Sequence, residues 1–263
     1  MKYLLRLAIL LTAVTTSLAG CDLLTSPETR VERATAMIDQ GEYRKAVFEL
    51  RKVLDDEPAH AKARLLLAQA EFGSGEVTAA EADLDRALEA GIAPADTALL
   101  KARIQLVLGR AQVLLTQLDA GEIVLPEPQL SLFRGRALMA IRQPTEAMSA
   151  FEAALRHSPD SIETRLGIAE AKAANGDVTG ALVDLAALVQ DEPAAAEVWL
   201  ARGSLLLQQG RFADGDSALG EALRHAKGRL TEPMQLQALA GQIEARLALN
   251  EADRAAEGFA ELE

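Results

Sequence analysis

The sequence predicts an all-α chain made of one helix-turn-helix unit copied along its length, and three spacings carry this reading. Gly41, Gly75, Gly109, Gly176 and Gly210 stand 34, 34, 67 and 34 residues apart, the 67 being one shortened interval plus one full one. Five residues after each comes Ala46, Ala80, Leu114, Ala181 and Gly215, with Ala147 filling the gap. Pro58, Pro126, Pro159 and Pro193 follow members of that second series by 12 residues. Each mark has a physical role. Glycine closes the first helix of a copy because it takes left-handed backbone angles cheaply. A small residue sits where the two helices approach, and apolar residues at three- and four-residue spacing fill the seam. Proline ends the second helix because it cannot continue the hydrogen-bond ladder.

The copies follow in order. The first reads Glu42-Tyr43-Arg44-Lys45-Ala46, then Leu50, Val53 and Pro58, and the second runs from Gly75 through Ala80, Leu84 and Ala87. The third departs most: Leu114 replaces the small residue and Gly121 stands where Ala87 stood, so this pair is expected to be wider. Ala147, Phe151, Ala154 and Pro159 mark the fourth; Gly176, Ala181, Leu185, Leu188 and Pro193 the fifth; Trp199, Gly203, Gly210, Phe212, Leu219 and Ala222 the sixth. The last is displaced. Asn250 to Ala255 and Phe259 repeat the turn and second helix, but Ala255 lies 40 residues after Gly215, and the extra residues are assigned to 227–233. Together these marks resemble the tetratricopeptide repeat, a unit of 34 residues. The resemblance implies an all-α tetratricopeptide-repeat solenoid, a right-handed superhelix, after a cleaved signal peptide. The array is assigned to residues 31–263, about seven copies. No closing polar helix follows the last copy, so either that copy is its own cap or the chain is part of something longer.

Residues 1–20 read as an address. Lys2 and Arg6 precede an apolar run over residues 7–14 and then Thr15-Thr16-Ser17, the order of a secretory signal and too short for a comfortable membrane span. Leu18-Ala19-Gly20-Cys21 resembles a bacterial lipobox, which implies that Cys21 is the acylated mature N-terminus. The other reading is a buried structural cysteine beside an ordinary cleavage site. Asp22 resembles the inner-membrane retention signal of enterobacterial lipoproteins, so the inner membrane is favoured over the outer for a periplasm-facing lipoprotein. Residues 21–30 are read as the lipid-anchored linker. The lipobox, the run over residues 41–54, residues 61–68 and Ala90-Gly91-Ile92-Ala93-Pro94 resemble the PrsT family of tetratricopeptide lipoproteins of PEP-CTERM/exosortase systems, most strongly over residues 15–125. That resemblance implies a scaffold in exopolysaccharide export or exosortase-linked sorting. A pilus or outer-membrane assembly lipoprotein of the same repeat type is the alternative.

Composition excludes other classes. With 39 acidic against 27 basic residues the chain carries −12, so neutralising phosphates cannot be its mode of binding, and nucleic acid is not an expected partner. One cysteine and three histidines supply neither an intramolecular disulfide nor a metal framework. His60, His157 and His225 fall at copy ends with no companion at metal spacing, and Gly73-Ser74-Gly75 lacks the strand, lysine and hydroxyl of a phosphate-binding loop. No nucleophile elbow is present, so no catalysis and no cofactor are expected, and a periplasmic hydrolase would need a constellation the repeats do not provide.

Function is therefore expected on the inner face, which the first helix of each copy lines. One helical position projected through the copies gives Thr35, Gln69, Arg103, Arg136, Glu170 and Ser204, a groove for an envelope protein or peptide segment. Arg103 and Arg136, on adjacent copies, suit a carboxylate or acidic peptide through bidentate guanidinium contacts, or else are ordinary solvated arginines among abundant acids. The neighbouring row Leu65, Leu99, Leu132, Leu166 and Leu200 either joins that groove or forms inter-repeat core.

Overall fold

A computed structural model describes residues 26–226 and 230–260, which hold fourteen α-helices and no strand. The helices run in pairs: α1 (Pro27–Asp39) with α2 (Tyr43–Asp56), α3 (Ala61–Ser74) with α4 (Val77–Glu89), and α5 (Pro94–Val107) with α6 (Ala111–Asp119). Then follow α7 (Gln129–Ala140) with α8 (Pro144–His157), α9 (Ile162–Ala174) with α10 (Val178–Asp191), α11 (Ala196–Gln208) with α12 (Phe212–Arg224), and α13 (Glu232–Ala248) with α14 (Ala252–Ala260). Helix α1 begins inside the stretch assigned to the linker. Ser26 caps it, its Oγ accepting the Thr29 N–H at 3.3 Å, and Pro27 suits a first helical position whose N–H would have no partner. The signal segment 1–20, Cys21 and Asp22 lie outside the described residues. No described helix is long and apolar enough to cross a membrane.

One turn joins the two helices of every pair. The Glu76 N–H donates to the Glu71 carbonyl at 2.8 Å and the Gly75 N–H to the Phe72 carbonyl at 3.1 Å, with Gly75 at φ +89°. This satisfies carbonyls the helix end would otherwise leave open. The same five-residue return bond is made by Glu42, Arg110, Gln143, Asp177, Arg211 and Glu251. In two pairs the left-handed position is not glycine: Arg142 has φ 62° and Asn250 φ 60°. These residues account for the glycine missing from the spacing between Gly109 and Gly176 and after Gly210.

The chain divides within α5, between Leu100 and Lys101, into two compact units. In the first, Val31, Ala46, Leu50, Val53, Ala63 and Leu67 pack into one core. In the second, Phe151, Ala147, Ala154 and Leu132 form one cluster, Leu185, Leu188 and Val198 another, and Leu200, Leu219, Ala222 and Leu230 a third. The small-residue series is buried throughout, at Ala46 and Ala80 in the first unit and at Ala147, Ala181, Gly215 and Ala255 in the second. Leu114 is buried as well. Gly121 does not occupy a core position like that of Ala87. It closes α6 after nine residues with φ +70°, its N–H donating to Leu118 and that of Glu122 to Gln117. The displacement of the last pair is partly a longer first helix, since α13 has 17 residues against 13 in α11.

Two close packings fix the second unit. Phe151 of α8 lies between α7 and α9, where a Cβ on Gly135 or Gly167 would stand 2.6 or 2.7 Å from its ring. Buried Asp216 of α12 accepts from Gln242 Nε2 at 3.0 Å, Arg246 Nε at 2.9 Å and Arg254 Nη2 at 3.0 Å, joining α12, α13 and α14.

Replacing Arg142 by Gly should relieve the left-handed cost and raise stability by about 1 kcal/mol, a Tm gain of about 2–4 °C for a chain of this size. A Tm that stays the same or falls would contradict this account of the turn. Asp216→Ala strands two guanidinium groups and should cost about 3 kcal/mol in urea unfolding, the low end of such losses because Arg254 is half exposed. A loss under about 1 kcal/mol would show that the network contributes little.

Candidate functional site

In the second unit the first helices of four successive pairs, α7, α9, α11 and α13, face one open cavity of about 620 Å³. Its apolar wall comes from Met139, Phe151, Leu166, Leu200, Leu205 and Met234. Phe151 lies at its floor, its ring buried against Gly135 and Gly167. Its charged groups are Arg136, Glu163, Glu170 and Glu197, and Ser204, Gln208 and Gln237 add neutral polar groups.

Three residues of the projected row, Arg136, Glu170 and Ser204, therefore lie on one cavity, with Leu166 and Leu200 beside them. Arg103 is exposed on α5 and is not among the residues lining that cavity, and Gln69 is half-buried on α3 of the first unit. The leucine row divides: Leu132 is core, Leu99 is exposed and Leu65 is half-buried. Arg103 does not line the cavity that Arg136 lines. Arg136 forms an ion pair with Glu163, and its guanidinium lies 5.8 Å from the Phe133 ring centroid. Its charge is spoken for, and two further carboxylates, Glu170 and Glu197, stand on the same cavity. Neither of these two makes an ion pair with any described residue.

Projecting a single helical position missed Glu163 and Glu197. They are 34 residues apart, and each lies seven residues before a member of the projected row, Glu170 and Ser204. Seven residues are about two helical turns, so each pair shares a helix face. A projection extended by two turns would have found both acids.

Glu170 is exposed, on the wall of the open concavity. The protein around it pushes its carboxyl above the ordinary 4.5, and the Arg136 charge only partly opposes this. A glutamate that is fully buried, Glu71, lies in the first unit, in a cavity also lined by Arg51, Arg64, Asp83 and Arg86. Glu71 accepts from Arg51 Nη2 at 3.0 Å through Oε1, while Oε2 has no partner, and burial raises this carboxyl too.

The histidines serve the helix ends: His60 Nδ1 accepts the Ala63 N–H at 3.3 Å to cap α3, and His225 terminates α12. Among the described residues no group of three or more His, Cys, Asp or Glu is placed to hold a metal ion.

Residues 138–205 match the tetratricopeptide repeat family, and residues 1–109 match the family described as the second ARM domain of tetratricopeptide repeat protein 21. The chain folds as a tetratricopeptide-repeat array. A tetratricopeptide repeat protein from Parabacteroides merdae is similar in structure, with a TM-score of 0.66 at 20% identity over 89% of this chain and 91% of that one. The APC/C hetero-tetramer Cut9–Hcn1 gives 0.64 at 15% identity over 84% of this chain and 42% of that one. Yeast Tom70 gives 0.57 at 16% identity over 88% and 49%. This chain thus spans less than half of the latter two, and at these identities it shares their fold alone. No curated protein matches the sequence.

The raised carboxyl of Glu170 makes a signed prediction for the repeat array. A group with a raised folded value favours the folded state below its unfolded value, and that contribution is lost as pH rises through the folded value. Glu170→Gln should therefore raise the Tm at pH 8, with the gain shrinking as pH falls toward 4.5. A gain equal at both pH values would show that the burial of charge is not its cause.

Proposed function

We propose that this tetratricopeptide-repeat protein is a lipid-anchored adaptor of the bacterial envelope, and that the cavity of the second unit holds a segment of a protein partner. The observation that carries the reading is the cavity itself. Four first helices contribute to it, its apolar wall is open to solvent, and its volume of about 620 Å³ falls within the range of specific ligand pockets. The repeat fold is typically a non-enzymatic scaffold, and scaffolds of this kind present extended faces to protein segments. The anchor is supported by the lipobox-like Leu18-Ala19-Gly20-Cys21, with Asp22 favouring the inner membrane. Lipid chains on Cys21 would hold the array at the periplasmic face, since more than one chain suffices for stable anchoring. The resemblance to PrsT supports exopolysaccharide export or exosortase-linked sorting as the assembly served.

A photo-crosslinking residue at Gln208, on the cavity, should capture a discrete partner in the native membrane, and the same residue at Arg156, exposed on α8, should not. Ser204→Trp in the Gln208 background should abolish the product by filling the cavity, and Cys21→Ser should remove the chain from acyl labelling. Equal products from both positions would overturn the groove reading, and undiminished acyl labelling would overturn the anchor.

A further inference from the structure

We infer that the cavity of the second unit takes a basic, apolar peptide segment, with a lysine or arginine side chain at Glu170 and Glu197 and an apolar neighbour against Leu166, Leu200 and Met234. The inference rests on the groove reading above and adds the chemistry of the occupant. Three carboxylates and one guanidinium line the space, and the guanidinium of Arg136 is committed to Glu163. Glu197, on α11, is left without an ion pair to any described residue, and Glu170, on α9, has only the Arg136 charge that Glu163 also takes. An acidic segment would have to lose water beside both of them, which is costly for like charges. A basic one supplies the counter-charge the fold omits.

Two further observations fit a peptide rather than a small cation. The wall has an apolar part, so a simple amine would leave Leu166, Leu205 and Met234 uncovered. Ser204, Gln208 and Gln237 offer neutral donors and acceptors that suit a backbone. The environment of Glu170 agrees: the protein around it penalises its charge, and a ligand cation would restore it. The charged groups that share the cavity with it are Arg136 from α7, Glu163 on its own helix and Glu197 from α11, while α13 lines it with neutral Met234 and Gln237; Arg134, Arg165, Lys172, Arg202, Glu244 and Arg246 lie on the same helices but do not line it.

The test uses the full chain in uncharged detergent and three labelled peptides read by fluorescence anisotropy: alternating Leu and Lys, alternating Leu and Gln, and alternating Leu and Glu. The Lys peptide should bind most tightly, the Glu peptide least, and the preference should shrink as salt rises. Glu170→Gln with Glu197→Gln should weaken the Lys peptide about ten-fold or more. The same change of charge at exposed Glu152 and Asp253, as Glu152→Gln with Asp253→Asn, should leave it nearly unchanged and so separates the cavity from the general acidity of the chain. Arg136→Gln releases Glu163 and should keep or tighten binding of the Lys peptide. Equal affinity for all three peptides that is abolished by Ser204→Trp would overturn the charge inference and keep the groove. Binding that ignores Ser204→Trp, or no binding at all, would overturn both. Equal losses in the cavity and control variants, or weaker binding on Arg136→Gln, would overturn the charge inference.

Discussion

The close crossing of the two helices in each pair is the constraint on which the rest depends. In six of the seven described pairs the second helix presents Ala46, Ala80, Ala147, Ala181, Gly215 or Ala255 at the crossing, all buried, and the third presents buried Leu114. At Gly215 a Cβ would meet Leu207 Cδ2 at 2.4 Å, so the Leu207 side chain would have to move. One short turn joins every pair, including the third with its Leu114, and Phe151 lodges between glycines of α7 and α9. In the second unit the crossing also sets the spacing at which α7, α9, α11 and α13 bring their exposed faces to one cavity.

Asp216, Glu71 and Glu170 differ in how their charges are compensated. Asp216 is held by two guanidinium groups and an amide, and the three helices it joins are the last of the array. Glu71 has one guanidinium for one of its oxygens. Glu170, exposed on the cavity wall, makes no ion pair with any described residue; the protein around it raises its carboxyl and the charge of Arg136 opposes this. A fold selected for stability alone would pair or remove such a group, so the uncompensated charge on a cavity wall is where stability and binding diverge.

The repeat marks were legible in the sequence because each records a local backbone or packing demand that a single residue meets. Gly75 marks a left-handed turn and Ala181 a crowded crossing. Where a different residue met the same demand, the mark vanished: Arg142 and Asn250 adopt the left-handed turn without being glycine, and no spacing rule reveals them. Gly121 deceived in the opposite sense, being a helix terminator found at a core register, since α6 stops early. The face bearing Arg136, Glu170 and Ser204 followed from periodicity alone. Its electrostatic sense did not, because the partner of Arg136 is Glu163 on the next first helix. That pairing depends on how α7 and α9 stack and not on any spacing along the chain.

The most direct measurement of the central claim uses methionine methyl groups, which the fold has distributed in a useful way. Met139 and Met234 line the cavity, while Met148 packs against the Phe151 core cluster and Met37 against the core of the first unit. In spectra of methyl-labelled protein titrated with the Leu-Lys peptide, the account predicts that the Met139 and Met234 resonances move together and saturate, while Met37 and Met148 stay in place. Movement at Met37 or Met148 with Met139 and Met234 unchanged would contradict it.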